Sequence, residues 1–157
     1  MTYEISDTKV IVNDSSIIMN RYEEGSFIFN EIEKKMNKRI KMIKNLYQAT
    51  IDGGDTINFH NKCDNISNIL VLIKSECNRR FGGFTPIPWK SEGNYKSDPE
   101  MKTFVFSLDN KKIYYLNSKE SFAVRHNSKS GPCFGICHDI GNNRKSNKRK
   151  YIIYISS

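Results

Sequence analysis

The stretch "NILVLIKSECNRRFGGFTPIPW", residues 68–89, carries the reading that decides the fold. Ile69 to Ile73 form a continuous apolar run, the pattern of a well-buried strand rather than one half open to water. After a short polar connection, "RRFGGFTPI" reads as a second strand, and the pair predicts a hairpin. Two glycines then stand where packing wants side chains. Glycine inside a strand marks a bulge, a bend or the close approach of another group, because no Cβ stands in the way. Gly82 and Gly83 therefore predict a bent strand or a tight contact, and a Gly83→Val change is expected to cost about 1–3 kcal/mol from packing alone.

Strand signals continue downstream. In "KTFVFSL" (102–108) Phe104 and Phe106 alternate with Val105 and Ser107, Asp109–Asn110 turns the chain into "KKIYYLN", and "SFAVRH" (121–126) adds another strand. The polar segment 89–100 reads as an exposed loop. Upstream, Ile28, Phe29, Ile32 and Met36 fall at helical spacing, predicting an amphipathic helix over 27–38 with Ser26 as its N-cap. "NLYQAT" (45–50) is strand-like. "DGGD" (52–55) is a turn in which Asp55 caps a short helix, "TINFHNKC", with Ile57, His60 and Cys63 on one face. Short strands with a few helices, and no regular strand–helix alternation, predict an α+β fold: an antiparallel β-sandwich flanked by helices.

The chain has 157 residues, enough for one domain and one core. Its first sixteen residues include acids and lack the apolar core of a signal peptide, and no run of about 18 apolar residues predicts a membrane span. A soluble, intracellular, cytoplasmic protein is expected. In that setting the four cysteines, Cys63, Cys77, Cys133 and Cys137, are expected as free thiols. The net charge of +8 is unevenly spread: six basic residues lie in 34–44 and five in 142–151, with no acid in either. The remainder is mildly acidic. No aromatic residue interleaves the first stretch to stack on bases, so weak polyanion contact, not specific nucleic-acid recognition, is the expectation.

Residues able to carry chemistry are few. His60, Cys63, Cys133 and either Cys137 or His138 can be drawn as a four-ligand metal set, but their spacing fits the compact pairs of structural zinc sites only loosely. Cys137 and His138 are adjacent, so on a strand they point to opposite faces and do not meet as nucleophile and base. Phosphate-binding loops, dinucleotide fingerprints and nucleophile elbows are absent. Trp89 reads as a core-edge tryptophan rather than a recognition aromatic.

Taken in order, "LYQATIDGGDTINFHNKCDN", "LVLIKS", "RRFGGFTPIPW", "YKSDPEMKTFVFSLDN" and "GPCFGICHDI" resemble the TLDc domain of the oxidation-resistance protein family, in its protist-like form, over roughly residues 14–140. The resemblance implies a two-sheet β-sandwich flanked by helices. It places the Phe-Gly-Gly run inside one strand and the His138–Asp139 pair near the edge of the core. The motif positions it marks are Gly82, Gly83, Trp89, Gly131, Gly135, His138 and Asp139. It implies no catalytic residue, cofactor or metal, and it implies a protein-interaction module linked to oxidative-stress protection and to the vacuolar proton-pumping ATPase.

Residues 1–13 then form an N-terminal extension and 141–157 a basic, divergent tail. There the sequence departs from the family pattern: Ile140 is followed by "GNNRKSNKRKYIIYISS", so the closing strands of the sandwich are expected to be incomplete or replaced. Tyr151–Ser156 is the candidate replacement, pairing with a sheet edge left open. A thiol- or metal-dependent redox enzyme built on the cysteines and histidines, and a polyanion binder, are the alternative functions.

Overall fold

The computed structural model describes residues 2–6, 9–10, 22–119, 121–135 and 150–156. The elements are β1 (Thr2–Ser6), β2 (Lys9–Val10), α1 (Tyr22–Met36), β3 (Met42–Gln48), α2 (Ala49–Asp52), α3 (Thr56–Cys63), β4 (Ile69–Lys74), β5 (Arg80–Thr85), β6 (Tyr95–Ser97), β7 (Phe104–Ser107), β8 (Lys112–Tyr115), β9 (Phe122–Arg125) and β10 (Lys150–Ser156). The fold is α+β with two antiparallel sheets. The larger has the order β2-β1-β3-β10-β4-β5-β7-β8, and the smaller pairs β6 with β9.

The β4–β5 hairpin is present as the sequence predicts, closed by Ser75 N–H donating to Arg79 O and Asn78 N–H donating to Ser75 O. Asn78 takes a left-handed φ of 59°, which asparagine tolerates better than most residues. The unbroken apolar run of β4 follows from its surroundings, because both faces of the strand are covered. Leu70 and Leu72 join Phe84, Phe104 and Phe106 under α1, whose Ile28, Phe29 and Ile32 close that layer. Ile69, Val71 and Ile73 face the other way, into a cluster with Tyr47, Phe59, Cys63, Trp89, Val124 and Phe134. Alternation along the strand thus sends successive side chains into two different cores.

Gly82 and Gly83 sit in that same ladder without a bulge. Gly82 pairs with Leu72 and Phe106, and Gly83 with Val71 and Val105, in continuous register on both sides. Close approach, not bending, is therefore what the glycines serve. A Cβ on Gly82 would run into the Val71 carbonyl oxygen and come within 2.6 Å of Phe106 Cζ. A Cβ on Gly83 would meet the Phe134 ring at 2.7–2.9 Å. Each glycine admits one phenylalanine, on opposite faces of the sheet.

Several expectations are corrected. The first helix begins at Tyr22, so Ser26 lies inside it and is not its N-cap. One glycine at position 25 costs only about 1 kcal/mol, too little to stop the helix. Asp55 occupies the N-cap position of α3, but its side chain makes no capping hydrogen bond. Ile57 does not share the buried face with His60 and Cys63; it is 64% exposed, and Phe59 takes its place in the core. The 89–100 segment, expected as an exposed loop, contains β6, buried Trp89 and buried Asp98.

The last strand is also placed differently. β10 pairs antiparallel with β3 on one side and β4 on the other, so it lies inside the sheet rather than at an edge. Its composition, Tyr and Ile without alternation, is the signature already seen in β4, and an interior strand satisfies hydrogen bonds on both sides where an edge strand satisfies one.

Candidate functional site

The chemistry-bearing residues gather on the face of the sheet opposite α1. On α3, His60 is 8% exposed and Cys63 fully buried. His60 Nδ1 lies 2.7 Å from Asp64 Oδ1, and its Nε2 lies 2.9 Å and 3.0 Å from the carbonyl oxygens of Asn127 and Ser130. Asp64 Oδ2 accepts a hydrogen bond from Ser91 Oγ at 2.9 Å. A serine, a histidine and an aspartate thus meet, but in the wrong order for a nucleophile. The imidazole nitrogen that would take a proton from Ser91 is spent on main-chain carbonyls, and the serine reaches only the carboxylate. The arrangement instead ties the 127–130 turn to the end of α3.

The cysteines are similarly occupied with structure. Burial, with the nearby Asp64 charge second, pushes the Cys63 thiol up to about 12. Cys133 is buried on the segment that pairs with β9, where Arg125 N–H donates to the Cys133 carbonyl, and Cys77 is exposed in the β4–β5 turn. Among the described residues no group of three or more His, Cys, Asp or Glu side chains is placed to hold a metal ion, so His60, Cys63 and Cys133 do not assemble as drawn from sequence. Cys137, His138 and Asp139 lie outside the described residues.

The marked aromatic and glycine positions have structural surroundings. Trp89 is fully buried, edge-on to Phe134 at 5.4 Å and to Phe59 at 5.9 Å between ring centroids. Its carbonyl accepts from Asn65 N–H, while its indole Nε1 finds no hydrogen-bond partner among the described residues. Gly131 is buried beside Cys133. Gly135 has a φ of 72°, the left-handed region that glycine enters without strain, and its N–H donates to Ala123 O.

Three features escaped the sequence reading. Asp98 is 3% exposed; one of its oxygens accepts from the backbone N–H of Lys102 and Thr103 and from Thr103 Oγ1, at 2.7–2.9 Å. "SDP" was the available signal, since an aspartate before proline favours this local turn chemistry. His126, at the end of β9, is 1% exposed, and neither ring nitrogen has a hydrogen-bond partner among the described residues. Nothing in "FAVRH" announces that.

The third is a cavity of about 570 Å³, lined among others by Phe104, Tyr114, Tyr115, Phe122, Phe134 and Gly135. Tyr114, Tyr115 and Phe122 are 45%, 47% and 41% exposed, so three of the large exposed apolar side chains surround one hollow. Cations sit on the surrounding rings: Lys112 Nζ is 5.1 Å from the Tyr114 ring centre, Lys35 Nζ 4.6 Å from that of Tyr115. The Tyr95 ring lies tilted against Phe122, 5.1 Å between centroids, and carries the Arg125 guanidinium above it.

Comparison with models of known protein families matches residues 12–157 to the TLDc domain. The chain belongs to the TLDc domain family. No curated protein matches it.

The matched span runs through β10, so the strand inserted between β3 and β4 is covered by the family assignment. In this TLDc domain the Phe-Gly-Gly run lies inside β5, and a small β6–β9 sheet packs over the large one through Val124, Phe134 and Trp89. Among the described residues no helix is long and apolar enough to cross a membrane.

Proposed function

We propose that this TLDc domain works by protein contact rather than catalysis, in oxidative-stress protection or in regulation of the vacuolar proton-pumping ATPase. The observation that carries the reading is the exposed ring cluster of Tyr114, Tyr115 and Phe122 around its cavity. Exposed apolar patches with a polar rim are the usual mark of an interaction site. The buried titratable groups support it from the other side: His60 is bound on both nitrogens, the Cys63 thiol is pushed up to about 12, and Asp98 is committed to the 98–103 turn. None is an activated nucleophile.

Lys35 and Lys112 over the rings suit an acidic partner surface presenting an apolar side chain to the cavity. The partner assigned is an acidic face of a proton-pump subunit. The test is co-precipitation with the tagged full chain, quantifying pump subunits against a Tyr114→Ser/Tyr115→Ser variant. Recovery that falls about tenfold or more in the variant is expected, the scale of losing one interface hot spot. Absence of pump subunits with the parent chain removes that partner; equal recovery by both chains removes the surface.

A further inference from the structure

The segment 126–135 links the ring-lined cavity to the histidines. It begins at His126 and ends at Phe134 and Gly135, which line the cavity, and it is pinned at its middle, where His60 meets the Asn127 and Ser130 carbonyls. The two histidines have opposite surroundings. Both ring nitrogens of His60 face oxygen acceptors. Among the described residues those of His126 face none within hydrogen-bonding distance; the Glu92 carboxylate lies 4.0 Å from Nδ1 and also pairs with Lys90 at 3.3 Å. A buried imidazole in that position is tolerated neutral, since the neutral ring carries one orphan donor while the charged ring carries two and an unsolvated charge.

We propose that His126 is an acid-operated latch: protonation drives its ring out to water and releases the 126–135 segment from Trp89, while the large sheet stays folded. Among the described residues the charged groups facing the ring are Glu92 and Lys90 from the 89–94 segment, Lys96 from β6 and Asp64 from the end of α3, with Arg125 beside it on β9. Burial lowers the His126 pKa from its ordinary value of 6.5; Lys96 and Lys90 lower it further, and Glu92 and Asp64 oppose them. The sign follows. Above 6.5 the ring is neutral in both the closed and released states, and the latch holds at full strength. Below it the released state binds the proton first, so closure weakens until the pH passes the depressed value of the closed state. The carboxylates with lowered values, Asp52, Asp109 and Glu92, lose their contributions only in a more acidic range.

Release would carry Phe134 and Gly135 away from the cavity and so remodel the proposed contact surface. That consequence rests on the contact reading; the release itself does not.

Trp89 is the only tryptophan, so its emission reports the seat of the segment. The experiment is an acid titration of the full chain from about pH 7.5 to about pH 4.5, following Trp89 emission, the far-ultraviolet signal of the sheet and the His126 ring protons by NMR. Expected is a red shift of Trp89 emission with a one-proton midpoint below 6.5, coincident with His126 titration, before the far-ultraviolet signal moves. Glu92→Gln, which removes the opposing carboxylate, moves the midpoint to lower pH. His126→Phe abolishes the early step. The proposal fails if Trp89 and the sheet change together at one pH, if His126 titrates apart from Trp89, or if His60→Gln rather than His126→Phe removes the transition. Should His126→Phe not fold, the parent titration and Glu92→Gln still decide. Co-precipitation of pump subunits is a separate arm, so failure of the contact reading leaves the optical and NMR result standing.

Discussion

The two faces of the large sheet are built from different materials. Under α1 every buried member of the cluster is Ile, Leu or Phe. On the opposite face the core mixes Tyr47, Cys63 and Trp89 with aliphatic residues and abuts His60 and His126, so its stability depends on hydrogen bonds and proton occupancy as well as volume. The comparison teaches that one face is a foundation whose cost of injury is steric, while the other holds groups whose state can change. Phe106→Ala on the α1 face should therefore show the largest effect, about 3–5 kcal/mol, from lost burial and the cavity left behind. Urea melts at two pH values check it, and a loss that varies strongly with pH would break the distinction.

The glycine pair sharpens the same contrast within one strand. Gly82→Ala drives a methyl into the Val71 carbonyl, and backbone in the middle of a sheet has nowhere to go, so a loss of about 3 kcal/mol is expected. Gly83→Ala meets only the outer carbons of the Phe134 ring, and a loss of about 1–2 kcal/mol is expected. Phe134→Leu should recover part of the loss in Gly83→Ala and none in Gly82→Ala, because contacting residues couple and distant ones add. Equal recovery in both backgrounds would place the obstruction elsewhere.

Asp98 holds the turn that leads from β6 into β7. Its buried Oδ2 takes three donors, and Asp98→Asn keeps the shape while removing the charge that strengthens them. A loss of about 1–3 kcal/mol in thermal melts is expected, the range for hydrogen bonds to a charged group. A neutral result would mean that the 98–103 turn holds by backbone geometry alone.

Much of the scaffold was legible because local pattern and final environment agree. The β4–β5 hairpin, the alternation of Phe104 and Phe106 and the short α3 all follow from period and turn chemistry. The Phe-Gly-Gly run signalled an unusual strand, but deciding between bend and close approach required Phe106 and Phe134, the latter 51 residues further along the chain from Gly83. β10 had a readable strand pattern and an unreadable place, since pattern fixes how many faces are covered and not which neighbours supply hydrogen bonds. The site was less legible. His60 could be named, but the partners of its Nε2 are main-chain carbonyls and thus carry no residue signature. His126 was invisible because its property is a ring with no hydrogen-bond partner among the described residues, a fact of packing alone.

The thiols give the smallest effect and the most selective one, since modification can be followed without any change in stability. Cys77 is exposed in a hairpin turn, whereas Cys63 and Cys133 are buried on the face that carries chemistry. A thiol pushed up to about 12 leaves roughly one Cys63 in ten thousand as thiolate at about pH 8, and only the thiolate attacks an alkylating reagent. Brief iodoacetamide treatment with peptide mapping by mass spectrometry should therefore mark Cys77 well before Cys63 and Cys133, with the difference vanishing in denaturant. If Cys63 instead labels in the native chain as fast as Cys77, its thiol is neither shielded nor suppressed. The second face would then hold a working nucleophile, and the contact reading would give way to a thiol enzyme.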